Sequence, residues 1–247
     1  NKMALIGMIH AKSLPGTPRN QFSVEEIVDK ACAEAELYAK YKVDGLLIEN
    51  MHDVPYVTKK DSGPEITSVM TRVCSEVKKI VPNVPCGVQM LAALNEEALA
   101  VALAANLQFI RAESFIFGHI ADEGLMTACA GPLLRYRKSI GADDILILTD
   151  IKKKHASHAL TSDVNVIAMA KSAKFFLSDG IVLTGTTTGQ PPNVNDVFDV
   201  KLKVPEMPVI IGSGVNSINL KDFSNLNINA LIVGSHFKEN GFWLNEI

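Results

Sequence analysis

The amino-acid sequence predicts a single (β/α)8 barrel over residues 1–247, and three observations lead to this fold class. Short apolar runs rich in β-branched residues alternate with helical patterns along the whole chain, with no long linker between them. The length of 247 residues is close to that of one such barrel. The last two apolar runs, VIIGSG at 209–214 and LIVGSH at 231–236, both stop at Gly-Ser. Loops after the last two strands of this fold often hold a phosphate.

Strands and helices are predicted in regular alternation. The strands are expected at 4–10, 45–50, 86–91, 109–114, 145–151, 180–185, 209–214 and 231–236. The helices are expected at 24–42, 66–81, 95–105, 125–140, 163–177 and 194–202, with a weaker pattern at 217–224. Ser23, with Glu26 three residues later, predicts a capping box at the first helix. Only 11 residues follow the last strand, so the eighth helix is expected to be short or truncated.

A doubly wound open sheet is the rival architecture, and its signature is a glycine-rich turn after the first strand. Here His10 is followed by AKSLPGTPRN, which contains no G-x-G-x-x-G. The closed barrel is therefore the preferred prediction, because it accommodates the alternation of strands and helices without that motif.

The charge balance and the apolar pattern argue against two broad classes of function. With 24 basic and 27 acidic side chains, the formal net charge is -3, so no broad basic surface for nucleic acid is expected. No apolar stretch reaches the roughly 18 residues of a membrane-spanning helix, so no integral membrane segment is expected.

The cysteines and the first residue bear on the compartment. Cys32, Cys74, Cys86 and Cys129 are scattered without a C-x-x-C pair or a zinc-type spacing, which favours a reducing compartment. The chain begins at Asn1, so a targeting segment removed earlier would not be visible. We expect the cytoplasm, or an organelle interior reached after removal of such a segment.

Polar residues within otherwise apolar strands predict a ring at the carboxyl ends of the barrel strands, where active sites of this fold form. Because side chains alternate along a strand, placing Ile110 and Ala112 against the helices turns Arg111 and Glu113 inward. The same argument, applied to six strands, predicts a ring of His10, Glu49, Gln89, Arg111, Glu113, Asp150, Lys152 and Thr184. Such a ring fits an acid–base site or a structural charge network equally well, because buried carboxylates need paired cations in both.

A phosphate-binding region is expected at turns rich in glycine and hydroxyl groups, where small residues let backbone N–H groups approach an anion. The predicted residues are Gly212, Ser213, Gly214, Gly234 and Ser235, together with Thr184 and Gly185 in TGTTTGQPP at 184–192. The segment 184–192 is also typical of an ordinary flexible loop.

The choice of cofactor stays open in the sequence. Glu49, Glu113 and Asp150 are hard oxygen donors on separate strands, so a divalent cation such as Mg²⁺ is one option. His155 and His158 lie three residues apart, but no third ligand follows at a matching spacing. Their segment reads either as a solvated loop or as an anion-binding lid. No G-x-S-x-G elbow is present, which argues against a serine hydrolase.

Six segments of the chain resemble the BtpA family. They are GMIHAKSLPGTPR at 7–19, DGLLIENMHDVPY at 44–56, LLRYR at 133–137, DIKKKHA at 150–156, IGSGVNSINL at 211–220 and VGSHFKENG at 233–241. The resemblance implies a barrel akin to the ribulose-phosphate-binding group, in a family named for a role in photosystem I accumulation in photosynthetic bacteria. Members also occur where no photosystem exists, which points to a wider biochemical activity. The regular polar positions of the family match His10, Glu49, Asn50, Asp53, Arg111, Asp150, Lys154 and His155.

Three segments depart from the family pattern. The usual G-V-N-V-L-R after the third strand is GVQMLA, so Gln89 replaces an amide one carbon shorter and Ala92 replaces an arginine. The usual T-D-Q-G is ADEG at 121–124, and F-I-R-V-N is FIRAE at 109–113. The departures therefore affect the third and fourth strands of the predicted barrel.

The first functional hypothesis is an enzyme that acts on a small phosphorylated metabolite, such as a sugar phosphate or a nucleotide-like compound. An isomerisation, a lyase reaction and a glycosidic cleavage all fit acid–base chemistry by these residues. The expected proton-transfer groups are Glu49, Glu113, Asp150 and His10, with Arg111 and Lys154 stabilising negative charge and Asn50, Asp53, Gln89, Lys152 and His155 contacting substrate. A Schiff base through Lys152 or Lys154 is a further option that needs a lysine of lowered pKa.

The second hypothesis is a non-catalytic assembly or stability factor that retains the barrel. Inward-facing carboxylates argue against it, because a scaffold gains nothing obvious from burying them. Phe242 and Trp243, beside the expected short eighth helix, suit a homo-oligomer in either case.

Overall fold

The computed structural model describes residues 3–247. Its strands, in chain order, are β1 (Ala4–His10), β2 (Gly45–Glu49), β3 (Cys86–Gln89), β4 (Phe109–Ala112), β5 (His119–Ala121), β6 (Gly124–Met126), β7 (Leu146–Ile151), β8 (Ala156–Ser157), β9 (Gly180–Leu183), β10 (Val209–Ile211) and β11 (Ala230–Val233). The main sheet is a closed parallel barrel in the order β1-β11-β10-β9-β7-β4-β3-β2. The predicted fold class is confirmed, and each predicted strand is present in the barrel.

Helices follow the strands as the alternation predicts. They are α1 (Val24–Lys40), α2 (Pro64–Ile80), α3 (Asn95–Ala104), α4 (Ala130–Ser139), α5 (Val166–Phe175), α6 (Val194–Lys203) and α7 (Leu220–Ser224). After β11 the chain forms short 3-10 turns at Ser235–Phe237 and Glu239–Gly241.

The fourth helix begins five residues later than its pattern predicts. Residues 125–126, expected in the fourth helix, belong to β6, which pairs antiparallel with β5 in a small separate sheet that also contains β8. The prediction was wrong there because periodicity records only local preference, whereas these backbone groups bond to a neighbouring segment. The helix itself starts at Ala130.

The predicted capping box at the first helix is confirmed. The hydroxyl of Ser23 accepts a hydrogen bond from the backbone N–H of Glu26, and the Glu26 side chain accepts one from the backbone N–H of Ser23. Further along α1, the Tyr38 hydroxyl donates to the carbonyl of Met8 in β1 at 2.8 Å. The cap therefore starts a helix that bonds directly to the barrel strand before it.

Close packing in the barrel depends on a glycine between two strands. Gly87 and Phe109 are register partners in β3 and β4. A Cβ atom at position 87 would lie 2.3 Å from the Phe109 ring, so the ring occupies the space that a larger residue would need. Such overpacking is destabilising because neither backbone can retreat without breaking the ladder.

The residues group into two compact units, each with its own dense set of contacts. The amino unit contains residues 6–111, 135–146 and 247, and the carboxy unit contains residues 3–5, 112–134 and 147–246. Between residues 3 and 247, no helix is both long enough and apolar enough to cross a membrane.

Ser23→Ala should lower the free energy of unfolding by about 1 kcal/mol, because it removes the side-chain acceptor of the α1 cap. Urea denaturation followed by circular dichroism measures the change. The matched control is Ser68→Ala, the same change at an exposed position inside α2, where alanine's helix propensity should leave stability equal or higher. An equal loss in both variants would contradict the capping role.

Candidate active site

The predicted ring divides between the two units. His10, Glu49, Gln89 and Arg111 belong to the amino unit, and Glu113, Asp150, Lys152 and Thr184 belong to the carboxy unit. All of them except Lys152 and Thr184 are buried, with no more than 8% of the residue surface exposed. Polar side chains at the carboxyl ends of the strands are therefore largely withdrawn from solvent in both units.

In the amino unit, three polar residues end three neighbouring strands at the same level. The register pairs His10 with Glu49, and Glu49 with Gln89. The His10 Nε2 atom lies 3.8 Å from a Glu49 carboxylate oxygen, within ion-pair range when the imidazole is protonated. The equal heights predicted from alternation along each strand are thus present, and they bring an imidazole, a carboxylate and an amide into one row.

Asn50 and Asp53, expected to contact substrate, use their polar atoms to join loops. The Asp53 carboxylate accepts hydrogen bonds from the Leu14 backbone N–H at 2.7 Å, the Thr17 hydroxyl at 3.0 Å and the Asn50 amide at 3.0 Å. The Asn50 side-chain oxygen accepts from the Leu91 backbone N–H at 2.8 Å. Burial raises the pKa of Asp53, although these three hydrogen bonds act in the opposite direction. Together they hold the loops after β1, β2 and β3.

The carboxy unit contains a buried ion pair that the sequence reasoning missed. The Lys153 Nζ atom lies 2.8 Å from the Glu113 carboxylate, with side-chain exposures of 12% and 1%. Burial alone would lower the pKa of Lys153, but the charge of Glu113, their hydrogen bond and the charge of Asp150 raise it above its usual range. The ammonium is therefore protonated, and it supplies a fixed positive charge beside two carboxylates.

The strand alternation that predicts Lys152 in the ring stops where β7 ends. Lys152 has a left-handed backbone with φ of 49°, and its ammonium donates to the carbonyl of Thr161 at 3.1 Å. The left-handed residue redirects the chain, so that its neighbour Lys153 reaches Glu113. A positive φ at a non-glycine residue has no reliable sequence signal, and the run of three lysines gave no way to choose among them.

Lys154 and His155 connect the loop after β7 to the loop after β9. The Lys154 backbone N–H donates to the Thr184 hydroxyl at 3.2 Å, and the Thr188 N–H donates to His155 Nε2 at 3.2 Å. Burial, followed by the charges of Lys154 and Lys153, lowers the pKa of His155. A neutral imidazole can accept this bond, so the two loops form one hydrogen-bonded layer.

The loop at 184–192 also lies against the first Gly-Ser turn. Gly214 has φ of 70°, and a Cβ atom there would lie 2.2 Å from the backbone of Gln190 and Pro191. A Cβ at Gly185 would likewise lie 2.5 Å from the Gln190 carbonyl oxygen. At both positions packing within the protein accounts for the glycine, and Thr184 already uses its hydroxyl within the loops.

The two serines of the Gly-Ser turns differ from Thr184, because their hydroxyls are not used within the loops. Their strands, β10 and β11, are adjacent, with Ile211 paired to Leu231. Ser213 is buried and Ser235 is half-buried, and neither hydroxyl forms a hydrogen bond within the described part of the chain. The neighbouring Gly212 N–H is bonded to the Leu183 carbonyl at 2.8 Å, and Gly234 precedes the 3-10 turn that starts at Ser235.

Ser114 and His119, which the sequence pattern does not single out, also lie near Lys153. A small cavity in the carboxy unit is lined by Ser114, His119, Asp150, Lys153 and His158, among others. The His119 and His158 rings are 5.4 Å apart, and His158 Nε2 lies 2.9 Å from the Lys153 carbonyl oxygen. His119 belongs to β5, a short strand that the sequence pattern does not predict.

The acidic side chains of the predicted ring bear on whether a cation can be bound. Among residues 3–247, no group of three or more histidine, cysteine or acidic side chains is arranged to hold a metal ion. In the carboxy unit the Glu113 carboxylate is directed to Lys153 instead. Within the carboxy unit, the pairing of Glu113 with an ammonium does not fit a Mg²⁺ site formed by Glu113 and Asp150.

The closed parallel barrel, with buried polar side chains at the carboxyl ends of its strands, defines the molecule as a (β/α)8-barrel protein with a candidate active site. The chain belongs to the BtpA family, whose family model matches residues 1–247.

Similar proteins come from an animal, a cyanobacterium and an archaeon. An uncharacterized mitochondrial protein of Caenorhabditis elegans is 47% identical over 247 residues, covering 98% of this chain and 88% of that protein. The photosystem I biogenesis protein BtpA of Synechocystis is 32% identical over 237 residues, covering 96% and 81%. The structure of (S)-3-O-geranylgeranylglyceryl phosphate synthase from Thermoplasma acidophilum, with its substrate sn-glycerol-1-phosphate, aligns with a TM-score of 0.62 at 12% identity, covering 99% and 90%. At that identity the likeness concerns the fold.

Lys153→Met should lower the free energy of unfolding by about 3–5 kcal/mol, because the buried Glu113 carboxylate loses its ammonium partner. Adding Glu113→Gln should restore part of that loss, since the uncompensated charge is then removed. Chemical denaturation measures both. The control Lys174→Met breaks an exposed pair with Glu206 and should cost less than about 1 kcal/mol. Equal losses at the two lysines would show that the Lys153 pair is not buried as described.

Stability should also fall as the pH is lowered, because the folded protein keeps His119 neutral. Burial, then the charges of His158 and Lys153, lower the pKa of His119 below its ordinary value of 6.5. As the pH falls, His119 therefore takes up a proton first in the unfolded chain. Stability is retained above pH 6.5 and decreases as the pH falls towards the lower pKa that His119 has in the folded protein. Melting temperatures measured from about pH 7 to about pH 5 should decline less steeply in His119→Gln. Identical slopes in both proteins would rule out this contribution.

Proposed function

We propose that the protein is an enzyme that acts on a small phosphorylated metabolite by general acid–base chemistry. The observation that carries the proposal is the pair of Gly-Ser turns after the adjacent strands β10 and β11. Both serine hydroxyls have no hydrogen-bond partner within residues 3–247, although Ser213 is buried. A serine hydroxyl that is not used within the protein is available to donate to a phosphate, and the negative charge of the phosphate strengthens that hydrogen bond.

The charged groups of the carboxy unit support the acid–base part of the proposal. Asp150 lies next to the last residue of β7, and its charge contributes to the raised pKa that keeps Lys153 cationic. A protonated ammonium stabilises negative charge that develops on a substrate, and a carboxylate next to it can move a proton. The same protonation argues against Lys153 as a Schiff-base nucleophile, which has to be neutral to attack a carbonyl.

In the amino unit, the row of His10, Glu49 and Gln89 supplies a second acid–base pair, and we assign Glu49 and His10 to proton transfer there. Arg111 and Lys154 are proposed to balance negative charge. Isomerisation, lyase chemistry and glycosidic cleavage all draw on these groups, and each requires a proton acceptor that is held in a defined position.

The relatives bear on the proposal through their names. The phosphate synthase from Thermoplasma acidophilum was solved with a glycerol phosphate as its substrate, which supports a phosphorylated ligand for a barrel of this shape. The mitochondrial relative supports an organelle interior as the location. The cyanobacterial relative, named for photosystem I biogenesis, supports the alternative of an assembly factor. A scaffold has no use for a phosphate site, so the two hypotheses separate on ligand binding.

Inorganic phosphate should bind the full chain, and Ser213→Ala or Ser235→Ala should each weaken it by about 10- to 100-fold, since a hydrogen bond to a charged group contributes about 1.5–3 kcal/mol. Isothermal titration calorimetry measures the affinities. Ser217→Ala, an exposed serine of the same segment, is the matched control and should bind as the unmodified protein does. Failure to bind phosphate, or equal binding by all three variants, would remove the proposed site.

A further inference from the structure

The cavity beside Lys153 is separate in its chemistry from the Gly-Ser turns. Its volume is about 10 Å³, room for roughly one water molecule or one oxygen atom of a ligand. Ser114, His119, Asp150, Lys153 and His158 contribute to its lining, and all of them belong to the carboxy unit. The cavity is thus small, polar and bordered by groups that can donate and accept hydrogen bonds.

Two of the lining atoms are buried and unsatisfied. Ser114 and His119 are 4% and 5% exposed. The Ser114 hydroxyl oxygen and the His119 Nε2 atom have no hydrogen-bond partner anywhere in the described chain. A buried polar atom without a partner destabilises the protein, and two around one cavity indicate that the missing partner is an occupant of that cavity.

Backbone strain is concentrated around the same cavity. Ser114, Phe117 and Lys152 all line it, and their φ values are 52°, 54° and 49°. A left-handed backbone is unfavourable for a residue with a side chain, and for an aromatic one in particular. Surrounding structure has to impose it, so the wall of the cavity is held in a shape that local preference does not favour.

The charges next to the cavity decide what kind of occupant it takes. Lys152 and Lys153 supply two positive charges, which the carboxylates of Asp150 and Glu113 balance. The pKa of His119 is lowered by burial, His158 and Lys153, so its imidazole is neutral at pH 7. A charged ligand group would disturb this balance at low dielectric, whereas a neutral oxygen would not.

We propose that this cavity binds a neutral hydroxyl or carbonyl oxygen of the ligand, held by the Ser114 hydroxyl and by Nε2 of His119. Both groups are versatile, because a hydroxyl can donate or accept and a neutral imidazole nitrogen does either, depending on its tautomer. The substrate class that follows is a phosphorylated hydroxy or carbonyl compound, such as a polyol phosphate or a sugar phosphate. For the phosphate end of the ligand, this inference rests on the proposed function.

The test compares two ligands that differ only in hydroxyl groups, glycerol phosphate and propyl phosphate. Titration calorimetry on the full chain should show glycerol phosphate binding about tenfold more tightly, the equivalent of one well-made hydrogen-bonded contact. In Ser114→Ala and in His119→Phe the ratio should fall towards one, while propyl phosphate and inorganic phosphate bind as before. Ser139→Ala, an exposed serine on α4, is the control and should keep the full ratio.

A second measurement does not depend on the phosphate site. The imidazole Cε1–H signal of His119, identified by its loss in His119→Phe, should shift when glycerol alone is added at high concentration. Thermal unfolding adds a check on folding, since Ser114→Ala removes an unsatisfied hydroxyl and should melt at the same temperature as the unmodified protein or higher.

The outcomes separate the two proposals. Equal affinities for the two phosphate esters, or a ratio that both cavity variants leave unchanged, would overturn the neutral-oxygen site while phosphate binding stands. If no phosphate compound binds, the proposed function fails, and the His119 signal then decides the cavity alone. A shift with glycerol supports the oxygen site, and an unchanged signal refutes it.

Discussion

The parallel register of the barrel strands is the constraint on which the candidate site depends. Parallel ladders bring the carboxyl ends of neighbouring strands to the same level, so residues distant in sequence become neighbours. In the amino unit, His10, Glu49 and Gln89 come together in this way, each paired with the next across a ladder. In the carboxy unit, Ile151 pairs with Leu183, which places the loops after β7 and β9 next to each other. The hydrogen bonds between those loops follow from that placement.

Charge at the ends of the strands is costly to bury, and the structure offsets this cost locally. Glu113 is almost fully buried, and the ammonium of Lys153, at 2.8 Å, compensates the charge of its carboxylate. Replacing such a pair with apolar side chains is often neutral or stabilising in proteins. Stability alone therefore does not explain why a protein has a buried ion pair. Its position beside Asp150 and the polar cavity fits a site that holds charge in place for chemistry.

The loops show how structural and ligand-binding roles divide among similar residues. Asn50, Asp53, Thr184 and His155 are polar residues at the ends of strands, yet their hydrogen bonds join one loop to another. Gly214 is a glycine because the backbone of residues 190–191 lies against it. Ser213, Ser235, Ser114 and His119 keep side-chain atoms without partners in the described chain. Polar atoms that the protein leaves unsatisfied at a strand end are the more informative guide to a ligand.

The sequence by itself determined the barrel, the place of its strands, the first helix cap and the level at which the polar row of the amino unit lies. These features follow from periodicity, capping and alternation, which act over a few residues and are written in local composition. Tertiary structure decided which of three consecutive lysines pairs with Glu113, because a left-handed residue at 152 ends the alternation. It also decided that His119 borders a cavity, since its strand β5 pairs with the distant segment Ala156–Ser157 and residues 150–153 complete the cavity wall. Local patterns cannot encode those outcomes, because the backbone turns and partners that produce them exist only once the chain has folded.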